Sequence, residues 1–240
     1  MDVFEAIDSR ISCRQFHPDA IDEQVLVELL ERASRAPSGS NLQPWHAYVV
    51  SGDALATLKQ KVAVEIEGHD PRHAPSAYLF HPPDLGEPYV ARKLEHGAQL
   101  YGALGIKRDD AEGRLGQYKR NFDLFGAPTA IFLTLDRDLE KGQWADVGGF
   151  LATILYLVRG YGLDACPQQS WCRVHETVAE LLSIPDNQIL YCGIAVGRGD
   201  RSHPANSFRS ERASAKEFAR FYRDPADLSV ELTPQRIGEL

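Results

Sequence analysis

RASRAPSGSNLQPWHAYVV, Arg32 to Val50, changes its period halfway along. Just before it and into its start, Ile21, Val25, Leu26, Leu29, Leu30 and Ala33 recur at the spacing of one helical face with charges opposite, which predicts a helix over 21–33. Pro37 and Gly39 stop that helix, Pro44 restricts the residue before it, and HAYVVSG then reads as a strand closed by Gly52. The loop between, Pro-Ser-Gly-Ser-Asn-x-Gln-Pro, is either punctuation or a binding loop, and the rest of the chain has to choose.

Working outward, Asp53 opens a helix to about Glu67, and further helical patterns run from about Tyr89 to Leu104 and from Asp109 to Phe125. Between the first two lies GHDPRHAPSAYLFHPPDLGEP, residues 68–88, whose five prolines predict a long surface loop, either a substrate lid or a solvated excursion. APTAIFLTLD (127–136) reads as a strand, Trp144 to Arg159 as an apolar helix, GLDACPQ as a short strand, Val174 to Ser183 as a helix, and QILYCGIAVG as a strand. SAKEFARFY and DLSVELTP suggest a last helix and an extended tail. Helices and strands mix without regular βαβ alternation, so the expected class is α+β, a sheet flanked by helices. No linker divides the chain, which predicts a single domain over 1–240 with a loop insertion around 68–88.

The 240 residues are 43% hydrophobic and 25% charged with a formal net charge of −8, a globular profile that argues against general nucleic-acid or membrane-surface binding. Cys13, Cys166, Cys172 and Cys192 have no paired spacing and read as reduced thiols of a cytoplasmic protein. The acidic start MDVFEAIDSR does not resemble a secretory leader, and the apolar run Val147–Val158 falls short of the roughly 20 residues that span a bilayer.

Among chemical motifs, His69 and His73 are separated by Pro71 and do not form a zinc pair on one helix face. Cys166, beside a proline, fits a packed thiol better than a nucleophile. Neither GxGxxG nor a P-loop occurs, and the Arg198–Asp200 tripeptide reads as a turn. Two arginine groups remain: Arg10, Ser12 and Arg14 near the start, and Arg209 with Arg212 near the end. Guanidinium forks beside hydroxyls suit a phosphate monoester, though each group taken singly also reads as surface charge.

In this order, SRISCRQF, APSGSNLQPW, GLDACPQQS and NSFRSER resemble the FMN-dependent nitroreductase family, and the length and CPQ form are similar to its nitrobenzoate-reductase-like branch. The resemblance implies a mainly antiparallel sheet flanked by helices, in a homodimer that exchanges C-terminal tail strands. It implies FMN at the dimer interface, with Arg10, Ser12, Arg209 and Arg212 on the phosphate. Arg14 would stand at the flavin N1–C2 edge, where two-electron reduction places negative charge. Pro37, Ser38, Ser40 and Asn41 would come from the other subunit. Pro167, Gln168 and Gln169 would present a backbone N–H, that of Gln169, to flavin N5, with Asn121 and Gln143 near the ring's polar edge.

The implied activity is NAD(P)H-dependent reduction of nitroaromatic compounds or quinones by a ping-pong scheme, with no protein nucleophile and no metal. The same fold would also serve a dehalogenase, a flavin-fragmenting enzyme or a non-catalytic flavin store. Arg10→Ala is expected to weaken flavin retention more than Arg201→Ala.

Overall fold

A computed structural model describes residues 1–224 and Asp227. Residues Met1–Arg209 form one compact unit, and a second begins at Ser210. In the first, the elements in chain order are α1 (Val3–Ser9), α2 (Glu23–Ala33), β1 (His46–Ser51), α3 (Gly52–Glu65), α4 (Tyr89–Ala103), α5 (Ala111–Lys119), β2 (Thr129–Asp136), α6 (Lys141–Gly160), β3 (Asp164–Gln168), α7 (His175–Leu182) and β4 (Gln188–Gly197). The strands form one antiparallel sheet in the order β1-β2-β4-β3. This is the expected α+β class.

The side-chain period of two in β2 builds the core on both faces of the sheet. Ala130 and Phe132 point into a cluster with Leu58, Val62, Phe122 and Trp171, while Ile131 and Leu133 point into one with Leu29, Ile154 and Val158. Helix α6 therefore covers one face, packed against α2 and α1. Its predicted core extends by about a turn at the N-terminus, because Glu140 and Gln143 form a capping box there.

The sheet centre has no spare volume at Gly193. A Cβ built there would lie 2.7 Å from the Trp171 ring and 3.1 Å from Phe132. Gly193→Ala is expected to destabilise the protein by about 1–3 kcal/mol through overpacking, read as a lower urea midpoint at unchanged slope.

Two helix expectations need correction. The predicted helix 109–125 ends at Lys119, and Arg120–Gly126 is a 3-10 turn in which Leu124 and Phe125 are both left-handed at φ 55°. Phe122, Leu124 and Phe125 are all buried, and a continuing helix could not send all three the same way. In the second unit, SAKEFARFY keeps only α8, Ala215–Phe218, closed by a Ser214–Glu217 capping box. The extended tail DLSVELTP, apart from Asp227, lies outside the described residues, and so does the expected exchanged strand.

Candidate functional site

The N-terminal arginine segment is held as an extra edge of the sheet. Ser12 bridges Ala165 of β3 in parallel, and the Cys13 N–H donates to the Ala165 carbonyl at 3.0 Å. Further on, Phe16 bridges Gly199, and the His17 N–H donates to the Arg198 carbonyl at 2.8 Å. Arg10 and Arg14 thereby flank the start of the CPQ motif closely enough that both act electrostatically on the buried Cys166. Two of the four motifs, distant in sequence, thus converge.

Two residues that the sequence reading missed lock this arrangement. Asp164, at the start of β3, is buried and accepts from Arg159 at 2.8 Å and from Arg201. The same two arginines reach Ser9, Arg159 through its hydroxyl at 3.1 Å and Arg201 through its carbonyl at 3.5 Å. Asn206, 7% exposed, accepts from the Arg14 N–H at 2.6 Å and donates to the carbonyls of Gln15 at 3.0 Å and Asp200 at 2.7 Å. A buried amide thus ties the arginine segment to the turn at Asp200. Asn206 opens the NSFRSER motif, and three extended residues carry Arg209 no more than about 11 Å from it. Arg209 is exposed. In the second unit, Arg212 donates to the carbonyls of Ser210 at 3.1 Å and Glu211 at 2.8 Å.

At the end of β3, the Gln168 side chain is buried and donates to the Asn121 carbonyl at 2.8 Å and its Oδ1 at 3.2 Å. Asn121 thus joins this group through Gln168. Gln169 is exposed, and its amide donates to the Tyr78 hydroxyl at 3.2 Å, which in turn donates to the Tyr191 carbonyl at 2.5 Å. Tyr78 also meets Trp144 and Phe80 edge to face, with centroids 5.0 and 5.4 Å away, and the Ala77 N–H donates to the Cys172 carbonyl at 2.9 Å. Between the two expectations for 68–88, the middle of this loop is anchored to the segment after β3 rather than solvated throughout. Burial pushes the Tyr78 hydroxyl far above its ordinary pKa, so it acts here as a neutral donor and acceptor.

The Pro37–Gln43 loop is strained. Ser40, Asn41 and Gln43 are left-handed at φ 51°, 58° and 51°, a region costly for residues with a Cβ. Its shape is held by the Gln43 N–H on the Ser38 hydroxyl (3.0 Å), the Gly39 N–H on Asp146 (3.1 Å), and Trp45 stacked on Phe150 at 4.5 Å. Pro37, Ser40 and Asn41 are left exposed. This loop sits at Asp146, whereas Ser9 sits at Arg159, and the 1.5 Å rise of α6 separates those two positions by about 20 Å. The motifs therefore fall into two groups on one chain. Gln143 belongs to neither by its contacts: its Oε1 accepts from the Glu140 N–H at 3.2 Å in the helix cap.

All four cysteines are buried and unpaired, and burial pushes each thiol up, Cys13 and Cys172 to about 12. At pH 8 a thiol of pKa about 12 is about one part in ten thousand thiolate. Alkylation of native protein at pH 8 should be negligible over an hour, and four groups should react in denaturant, counted by mass spectrometry. Among the described residues no group of three or more His, Cys, Asp or Glu could hold a metal ion.

The model of the "Nitroreductase family" matches residues 7–198. The chain is 36% identical over 221 residues to the 4-nitrobenzoate reductase of Pseudomonas putida, covering 92% of this chain and 96% of that protein. It is 34% identical over 220 residues to the nitrobenzene nitroreductase of Ectopseudomonas oleovorans, with the same coverage of 92% and 96%. Among solved structures it is similar to the FMN and NADPH-dependent nitroreductase NfnB from sphigopyxis sp. strain HMH, with a TM-score of 0.89 at 36% identity over 93% of this chain and all of that one.

Proposed function

Because this chain belongs to the nitroreductase family, we propose that it is an FMN-dependent oxidoreductase that takes hydride from NAD(P)H and reduces nitroaromatic compounds or quinones in a ping-pong scheme. The observation that carries the reading is the joining of Ser12 to Ala165, which sets Arg10 and Arg14 beside the Cys166–Gln169 motif. The donors fit the group. Guanidinium forks and a hydroxyl suit a phosphate, and the acidic neighbour on the same strand, Asp164, is already paired with Arg159 and Arg201.

Bound FMN would supply the hydride chemistry. Arg10 and Ser12, with Arg209 and Arg212, hold its phosphate in this reading. Arg14 offsets negative charge at the N1–C2 edge, and the Gln169 main chain orients the ring at N5. Gln168 and Asn121 brace that turn from behind, and Pro167 limits its main-chain freedom. Gln143 acts through the α6 cap.

The reading includes a homodimer in which Pro37, Ser38, Ser40 and Asn41 serve the partner's cofactor. The roughly 20 Å between the two groups along α6 supports this. So does the apolar surface left uncovered: Phe4 of α1 is 75% exposed and α4 buries no residue. The proposal takes residues 1–240 as one FMN-binding domain acting in the cytoplasm, without nucleic-acid or membrane partners. The net charge of −8 supports the former, and among the described residues no helix is long and apolar enough to cross a membrane.

Purified protein should be yellow, bleach with NADH or NADPH under anaerobic conditions, and regain colour with 4-nitrobenzoate. Colour that persists under NAD(P)H points to a flavin store. Bleaching that no nitroaromatic or quinone reverses points to a dehalogenase or flavin-fragmenting enzyme. A colourless chain that takes up no FMN overturns the reading.

A further inference from the structure

Arg14 is gripped at three points. Its main-chain N–H donates to Asn206 at 2.6 Å, its Nη1 donates to the Ser12 carbonyl at 3.2 Å, and its Nη2 lies 3.2 Å from Nε2 of His96 on α4. A guanidinium can only donate and does not lose its proton in proteins, so His96 must turn an Nε2 lone pair toward it. The His96 ring also lies 5.8 Å from Phe208, so one residue of α4 touches the arginine segment and the NSFRSER segment together.

We propose that His96 is a positioning residue: the hydrogen-bond acceptor that fixes the Arg14 guanidinium, the cation assigned above to the flavin's N1–C2 edge. This rests on the functional reading just given. The requirement is chemical rather than one of shape. Any side chain with an acceptor at that distance holds the Nη2 end of Arg14, an apolar one frees that end, and a second cation repels it. A structural role is a poor rival explanation, because α4 contributes no buried residue to the core. Replacing a partly buried residue on such a helix leaves the fold intact, so changes at the cofactor report on Arg14.

The test uses apoprotein titrated with FMN, followed by flavin fluorescence, together with the midpoint potential of the bound flavin and the melting temperature of the apoprotein. His96→Gln, which keeps an acceptor, should match the wild type. His96→Leu should bind FMN about tenfold more weakly, the size expected for one hydrogen bond to a charged group at a partly exposed site. Its potential should also fall, because the cation that offsets charge in the reduced flavin is held less firmly. His96→Lys should be weaker than His96→Leu in both readouts, and all apoprotein melting temperatures should agree. Wild-type affinity and potential in His96→Leu, equal damage in His96→Gln and His96→Leu, or a common loss of apoprotein stability would overturn the proposal. Failure of the wild-type apoprotein to bind FMN is a different result, and sinks the functional reading together with this one.

Discussion

Arg10→Ala should give a folded protein that loses its FMN on gel filtration, with the dissociation constant raised by about 30- to 150-fold. That range corresponds to about 2–3 kcal/mol for removing one charge-assisted contact to a phosphate. Arg10 lies partly buried beside Cys166 in the segment that Ser12 joins to β3, so its loss removes charge from a site otherwise kept in place. Arg201 is paired with the buried Asp164, so Arg201→Ala would disturb the same segment. Arg108, exposed in the turn after α4, is the better control and should leave the flavin-to-protein absorbance ratio unchanged. Equal retention in Arg10→Ala and Arg108→Ala would remove Arg10 from the phosphate site.

Asp164→Asn should have the largest effect on stability. The carboxylate is 5% exposed and compensates Arg159, which is 14% exposed, as well as Arg201. Breaking a buried pair leaves a charge without a partner and costs about 3–5 kcal/mol. Because the Arg201 side chain is 42% exposed and can turn to water, the lower end, about 3 kcal/mol, is expected. For a chain of this size that is about 6–12 °C in melting temperature. Differential scanning calorimetry of the apoprotein measures it, and a change below about 2 °C would refute the buried-hub role. Flavin retention should fall as well, since Gly199 and, through the two arginines, Ser9 depend on the same carboxylate.

Much of the fold was readable because it is periodic. Helix α2, strands β2 and β4 and the apolar stretch of α6 announce themselves within a dozen residues, and the structure keeps them close to their expected bounds. Residues 120–126 depart from the helix expected there. Their apolar spacing continues a helix locally, but burying Phe122, Leu124 and Phe125 together turns the chain left-handed. Gln143, expected near the ring's polar edge, has its side chain in the α6 cap. A polar side chain in the first turn of a helix can serve a ligand or the backbone, and here the Glu140 N–H takes it.

Of the site, the sequence by itself determined which chemical groups exist and in what order: guanidinium and hydroxyl donors near both ends, a proline-punctuated loop, and a CPQQ turn. Those are covalent facts, and the family resemblance rests on them. Tertiary structure alone decided which of these groups meet. Asn206 reaches Arg14 across 192 residues, His96 reaches it across 82, and Arg201 reaches Asp164 across 37. No local period encodes such pairs, because they arise when strand pairing and core burial bring distant segments together. The same folding parts the Pro37–Gln43 loop from Ser9 by much of the length of α6.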